Sequence, residues 1–316
     1  ATKHASLTLS QARHHIDTLS FAATSLSKPD LIVCLVAMFD AAGVMAAFGL
    51  SEELVYNFVV AVSHLYKSPN PYHNFVHAAD VTQSVYYYIT HSGAADLLTP
   101  LDSLALLCAA VAHDVNHPGL NNDFLVAVQA PLARLYNDNS VLENHHAALL
   151  FRVLSSPACD ITSVLSADQT ASFRAIAVHA ILVTDMASHF EIMGQFQVVV
   201  QTRELDPTSE SDRKLLAGVI LHAADISNPT RPLAIFKDWA DMVFAEFLAQ
   251  GDRERDIGLP VTPIFDRETS MLAPLEVNFI KFVVQPFFSV FVTLFPELSS
   301  LLENMLENFA YFEALS

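Results

Sequence analysis

Along most of the chain, apolar residues return every three or four positions with polar residues between them, the spacing of helices that bury one face. This period predicts helices over 6–26, 29–48, 51–67, 72–91 and 101–115, and again over 121–129, 140–155, 168–183, 186–202, 209–226, 232–250 and 272–312. Several boundaries carry their own chemistry. Ser51 ahead of Glu52 and Glu53 reads as a side-chain cap followed by first-turn acids. At Ser68-Pro69-Asn70-Pro71 one helix stops and another begins, with Asn70 as cap and Pro71 at a first helical position, where its missing N–H has no partner to lose. Pro118 and Gly119 end the stretch that starts at Leu101. Connectors such as Asp206-Pro207-Thr208 and Gly258-Leu259-Pro260 are short, and no internal repeat or shift in composition divides the chain. The expectation is a single all-α domain over residues 1–316.

Composition agrees with a large helical core: 316 residues are 52% apolar, with only eight glycines. The most apolar run, Phe279 to Phe295, contains Lys281, Gln285 and Pro286, and is read as a core helix that lines a pocket rather than a membrane span. A formal charge of −18 argues against a nucleic-acid polymer as partner, since such binding draws on many Lys and Arg contacts to phosphate. A small phosphorylated ligand stays compatible if bound cations reverse the sign locally. Cys34, Cys108 and Cys159 are widely spaced and odd in number, so they are expected to be reduced core thiols of a cytoplasmic protein. The first residue is Ala and no leader follows, which suggests an excised segment with regulatory regions outside it. Oligomeric state is not encoded in any pattern here.

Candidate chemistry is concentrated in three places. His73 and His77 are four apart, so on a helix their imidazoles share a face, and Asp80 one turn further is positioned to orient His77. His113-Asp114 closes an apolar helix, with His117 four residues on. Asp225 ends a second apolar helix just before Ser227-Asn228-Pro229. Surface histidines, a helix-end ion pair and a helix cap would each explain one of these features. Three carboxylate or imidazole clusters at apolar helix ends in one chain point instead to metal, because an unpaired buried carboxylate costs several kcal/mol, roughly. His77, His113, Asp114 and Asp225 form a donor set that suits zinc. The second oxygen of Asp114 is available to a harder cation, whose waters would be held by His117, Glu143 and Thr184.

The segment Tyr72-His73-Asn74-Phe75-Val76-His77-Ala78-Ala79-Asp80-Val81 resembles the YHNxxHAxDV motif of class I cyclic nucleotide phosphodiesterases. The likeness continues through His113 to Gly119 (HDxxHPG), Ser140 to His146 (SVLENHH), Thr184-Asp185-Met186 (TDM) and Ala224 to Pro232 (ADxSNPxxP). Order and spacing agree from about Tyr56 to Phe288, whereas residues 1–50 match only as generic helix. The resemblance implies a compact bundle of about sixteen helices of the HD-domain type. It implies Zn²⁺ on His77, His113, Asp114 and Asp225, with Asp114 bridging to Mg²⁺ or Mn²⁺ whose waters are steadied by His117, Glu143 and Thr184. It implies His73 as general acid, and Asn228, Val243, Phe247 and Phe279 as lining of the nucleotide pocket.

Hydrolysis of cAMP or cGMP to the 5′-monophosphate then follows: hydroxide generated between two cations attacks phosphorus in line with the P–O3′ bond, and His73 protonates the leaving alkoxide. Two rival readings are a nucleotide sensor without turnover and another HD-type phosphohydrolase acting on a linear phosphate. The complete ligand set with His73 argues against the first, and the TDM, ENHH and SNPxxP matches against the second. One position departs from the family. A purine-contacting glutamine is expected three residues before the clamp phenylalanine, and with Phe279 as the clamp that residue is Glu276. The preference between cAMP and cGMP is left open by that change.

Overall fold

The computed structural model describes residues 5–202 and 204–316. Among them the chain forms α-helices and short 3-10 turns, with no β-strand. The helices are α1 (Leu9–Ile16), α2 (Lys28–Ala41), α3 (Val44–Phe48), α4 (Glu52–Leu65), α5 (Phe75–Thr90), α6 (Ala94–Leu97), α7 (Pro100–Ala112), α8 (Asn122–Ala127) and α9 (Pro131–Leu135). They continue with α10 (Val141–Leu154), α11 (Ala167–Val183), α12 (His189–Thr202), α13 (Glu210–Asp225), α14 (Leu233–Asp256), α15 (Leu272–Phe279), α16 (Gln285–Leu294) and α17 (Ser300–Glu313). A π turn, Ile280–Val284, joins α15 to α16 without a break, so the described chain has sixteen separate helical rods.

Helix α7 is the axis of the bundle. Every side chain from Leu104 to Ala112 is fully buried, as expected of a helix apolar all round its circumference. It starts at a capping box in which Thr99 and Asp102 satisfy each other's backbone N–H groups, with Pro100 in the first turn. Helices α5, α10, α11 and α13 pack around it. The α5, α7 and α13 surfaces in the core carry Ala78, Ala79, Ala109, Ala110, Ala112, Ala223 and Ala224, all fully buried, and such small side chains let three backbones approach closely.

Several boundaries differ from the periodic reading, each for a local reason. Residues 6–26 hold only α1 and a 3-10 turn, Ala23–Ser25. The stretch 29–48 is split at Gly43, whose φ of +76° is left-handed and ends α2 before α3 begins. Helix α5 starts at Phe75, three residues later than expected: Asn74 is the cap, its side chain accepting from the N–H groups of Val76 and His77. Asn70 instead donates to the carbonyls of His73 and His117, 2.8 Å each, tying the two histidine-bearing segments together. Helix α14 runs on to Asp256, and α6 and α9 are too short to have shown a period.

The stretch 272–312 breaks at Phe295-Pro296, whereas Pro286 sits inside continuous helix because the π turn before it takes up the backbone bond that proline cannot make. Leu272–Leu294 is thus one 23-residue helix of mean hydropathy 1.6, long and apolar enough to cross a bilayer by those measures. It is set into the bundle, with Phe287, Phe288 and Phe291 fully buried and α12, α14 and α17 against it.

Candidate active site

Three helix ends meet at one point. His77 lies in the first turn of α5, His113 caps the C-terminus of α7 with Asp114 next, and Asp225 is the last residue of α13. Both carboxylates therefore stand where helix carbonyls already contribute negative potential, an arrangement that calls for a cation. His77 Nε2 is 3.1 Å from Asp225 Oδ1 and 3.4 Å from Asp114 Oδ2. His113 Nε2 is 3.2 Å from Asp114 Oδ2, 3.3 Å from Asp225 Oδ1 and 3.3 Å from His77 Nε2. A tetrahedron with metal bonds of ~2.0–2.1 Å has edges of ~3.3–3.4 Å, so these five spacings suit a metal ion among the four atoms.

Proton bookkeeping agrees. The Ala110 carbonyl, 2.9 Å from His113 Nδ1, can only accept, so that nitrogen carries the hydrogen and Nε2 faces the centre, with its lone pair toward a cation or with a proton in the cation's place. Asp114 Oδ2 is buried with no hydrogen bond among the described residues. Burial alone would depress the His113 imidazole, but Asp114 and Asp225 outweigh it and hold the ring well above its ordinary range. Burial likewise opposes ionisation of Asp114 and Asp225, and the adjacent His113 reverses this, keeping both well below the usual carboxylate range.

The other oxygen of Asp114 faces a second group. His146 donates from Nδ1 to the Val115 carbonyl at 2.8 Å, leaving Nε2 as a lone pair 3.7 Å from Asp114 Oδ1. Two acceptors facing each other at that separation need a donor or cation between them. His117 accepts from the Gly119 N–H at 3.0 Å, and burial, with His73 beside it, pushes it well below the ordinary histidine range. Glu143 is held by the amide of Asn122 at 2.9 Å, and burial, then Asp185, pushes its carboxyl up to about 7. Thr184, the C-cap of α11, gives its hydroxyl proton to the Ile181 carbonyl at 2.7 Å and keeps its lone pairs free to accept.

His73 lies just before α5, its ring stacked on His117 at 3.9 Å, and its Nε2 is 4.0 Å from Asp114 Oδ2. Its Nδ1 is bound to Glu246 Oε1, while Glu246 Oε2 accepts from the backbone of Tyr72 and His73 at 2.9 and 3.0 Å. Burial opposes protonation of His73, but Asp114 and then Glu246 prevail and raise it to about 9. Neither Glu246 nor His146 was singled out from the sequence. The signal for Glu246 was present: on α14, Trp239, Glu246, Gln250 and Glu254 share the buried face, so three polar side chains interrupt an otherwise apolar stripe. Asp80 does not orient His77. Its Oδ1 accepts from Arg231 at 2.9 Å, and its Oδ2 and His77 Nδ1 have no partner among the described residues.

Beside this centre, Tyr72 donates to Asn228 Oδ1 at 2.5 Å, and the Asn228 amide nitrogen is buried with no partner among the described residues. Val243 and Phe247 lie one turn apart on α14, half-buried, and α15 packs against that helix with Phe279 half-buried. Phe247 rests on Phe265 with ring centroids 4.8 Å apart. Glu276, on the same face of α15 as Phe279, is 2% exposed.

The family of 3′,5′-cyclic nucleotide phosphodiesterases matches residues 72–305, a span that contains every one of these side chains. The chain belongs to this family. Among curated relatives, it is 39% identical to the 3′,5′-cyclic-nucleotide phosphodiesterase regA of Dictyostelium discoideum over 91% of its length. It is 32% identical to the mouse (Mus musculus) 3′,5′-cyclic-AMP phosphodiesterase 4C over 95% of its length. It spans only 36% and 44% of those two proteins. The fold is similar to the phosphodiesterase domain of the RhoPDE fusion protein of the choanoflagellate Salpingoeca rosetta, with a TM-score of 0.90, 33% identity and 95% of each chain covered. It is similar too to LmjPDEB1 in complex with IBMX, with a TM-score of 0.90, 30% identity, and 96% of this chain and 97% of that one covered. Coverage of that extent reaches into the N-terminal helices, which the phosphodiesterase motifs left unmatched.

Proposed function

We propose that this phosphodiesterase-family chain hydrolyses 3′,5′-cyclic nucleotides to nucleoside 5′-monophosphates in cyclic nucleotide signalling. The observation that carries the reading is the close set of His77, His113, Asp114 and Asp225 donor atoms, all within 4.8 Å of one another, with His73 Nε2 only 4.0 Å from Asp114 Oδ2. In this reading the four residues hold Zn²⁺. The other face of Asp114, with His117, Glu143 and Thr184 around it, serves Mg²⁺ or Mn²⁺ through water. Two such cations supply Lewis acidity toward the phosphoryl oxygens and a hydrolytic water of lowered pKa.

The protein's own groups do the rest. Glu246 fixes the His73 ring through Nδ1, so the proton for transfer sits on Nε2, the nitrogen that faces the centre. O3′ leaves as an alcohol because His73 supplies that proton. Asn228, Val243, Phe247, Glu276 and Phe279 hold the nucleoside, and the stacked His117 limits the motion of His73. We place the chain in the cytoplasm, a reading supported by three buried cysteines that are all unpaired.

The test is turnover of cAMP and cGMP by metal-free protein, before and after Zn²⁺ and Mg²⁺ are restored. Hydrolysis that returns with the metals and yields the 5′-monophosphate supports the reading. Binding of nucleotide without turnover under the same conditions puts a sensor in its place.

A further inference from the structure

Helix α10 carries a start signal that its fold leaves unused. Ser140-Val141-Leu142-Glu143 is the S-x-x-E pattern of a capping box, in which the Ser140 hydroxyl accepts from the Glu143 N–H and the Glu143 carboxylate from the Ser140 N–H. Instead Ser140 is left-handed at φ +38°, makes no capping bond, and gives its hydroxyl proton to Asp185 Oδ2 at 2.8 Å. The cap comes from another segment. Asn122 Oδ1 accepts from the Leu142 N–H at 3.0 Å, and the nitrogen of the same amide donates to Glu143 Oε2 at 2.9 Å and to Oε1 at 3.3 Å. Among the described residues no other side chain bonds to Glu143. A non-glycine residue held left-handed beside an unused capping motif is a local cost, and such costs gather at functional sites.

What the arrangement gains is the aim of Glu143. His146 lies one turn further along α10, and its Nε2 is 3.7 Å from Asp114 Oδ1, so the face of α10 that carries both residues is turned to the outer oxygen of Asp114. In a capping box the carboxylate would be spent on the Ser140 N–H. Resting on the two-cation reading above, we propose that Asn122 is a positioning residue: it caps α10 from outside and so holds the Glu143 carboxylate toward the outer face of Asp114, as acceptor for cation-bound water.

The segment that carries Asn122 is anchored in turn. Gln250 on α14 accepts from the Asn121 N–H at 2.9 Å and donates to Asn121 Oδ1 at 3.0 Å, while Glu254 Oε1 takes the other proton of its amide at 2.9 Å. Asn121 is also the N-cap of α8, its side chain accepting from the Phe124 N–H at 2.9 Å. Gln250 stands one turn beyond Glu246 on the buried face of α14, and Glu246 holds the His73 ring. One helix face therefore keeps in register the loop of the proton donor and the amide that aims Glu143.

The experiment is a double-mutant cycle read by Mn²⁺ binding to the zinc-loaded protein, followed by electron paramagnetic resonance, in the wild type, Asn122→Ala, Glu143→Ala and the double variant. Glu143→Ala should weaken Mn²⁺ by about 10–100-fold, and Asn122→Ala by about 10-fold, the range that groups behind a metal's ligands contribute. The double variant should bind no more weakly than Glu143→Ala alone, because Asn122 acts through that carboxylate. Gln250→Met leaves Asn122 in place but frees its segment, so it should show the same pattern at smaller size, and it serves if Asn122→Ala does not fold. Wild-type affinity in Asn122→Ala, or an equal loss with and without Glu143, overturns the proposal. Turnover of cAMP and cGMP keeps this separate from the hydrolase reading. A non-additive cycle without turnover would retain Asn122 in its role and remove the hydrolase, and turnover with an additive cycle would do the reverse. A wild type that takes up no Mn²⁺ beside its zinc overturns the proposal together with the second cation.

Discussion

His73 and Glu246, 173 positions apart, share a hydrogen bond between Nδ1 and Oε1, and the same carboxylate also caps the backbone N–H groups of Tyr72 and His73. Glu246 therefore fixes both the tautomer of His73 and the loop that carries it. Of the three carboxylates that raise His73, Asp114 and Asp225 are the two that a bound cation would take up, which leaves Glu246 to keep the imidazole charged. The sign follows: stability from this raised pKa is complete below the ordinary histidine value and is lost as pH climbs through about 9. Activity that needs the protonated ring has an alkaline limb in the same direction. Glu246→Gln keeps the shape and removes the charge, so the limb of the kcat profile should move down by about 1–3 pH units. A profile identical to the wild type would show that Glu246 does not hold the proton.

His73→Ala should lower kcat by about 10²–10⁴-fold while leaving metal content intact, since the side chain is outside the four-atom set. The loss should shrink for an activated aryl phosphodiester, whose leaving group needs no proton. Equal losses for that ester and for cAMP would give His73 another role.

His113→Ala and Asp225→Ala each remove one corner of the donor set. Metal retained after dialysis, read by elemental analysis, should fall together with turnover, because a methyl group replaces neither donor. Full metal content with normal activity in either variant would remove that residue from the site.

The candidate cluster was legible from sequence because His113, Asp114 and Asp225 close apolar helices and His77 opens one, and the structure brings their donor atoms within 4.8 Å of one another. Periodicity also gave the long helices, and it failed where backbone conformation intervened: at Gly43, at the Asn74 cap and at the π turn before Pro286. What was not legible depends on contacts between distant segments. Asp80 sits one turn from His77, and spacing alone assigned it there, whereas Arg231, 151 positions away, claims its carboxylate. Glu246 was hidden for the same reason, since its partner lies on another helix. Long-range pairing of this kind leaves only one local trace, a polar residue on a face that should be apolar.

Arg231 and Asp80 form an ion pair at 2.9 Å with exposures of only 1% and 0%. Arg231 also donates to the Asp80 carbonyl and to Ser84. Arg231→Met would leave the Asp80 charge buried without its partner, and urea unfolding should register a loss of about 3–5 kcal/mol. Adding Asp80→Asn to that variant should restore part of the loss, because the stranded charge is gone. A double variant no more stable than Arg231→Met alone would mean that packing of the arginine stem, rather than charge compensation, accounts for the effect.

Gly251 on α14 gives a last prediction, since it links packing to the proposed nucleoside wall. A Cβ built there would stand 2.0 Å from the Phe265 carbonyl oxygen and 2.7 Å from its carbon, so the 3-10 turn Pro263–Phe265 has to move if any other residue is present. Phe265 is the ring on which Phe247 rests, so the displacement reaches Phe247 directly. Gly251→Ala should therefore cost about 1–3 kcal/mol of stability, as overpacking does. If Phe247 lines the nucleoside site, KM for cAMP and cGMP should rise together while metal content stays as it was, because the four ligand residues lie on other segments. Thermal unfolding gives the first quantity and steady-state kinetics the second. Lost stability with unchanged KM would separate Phe247 from nucleotide binding. Unchanged stability would mean that the turn at Phe265 yields without strain.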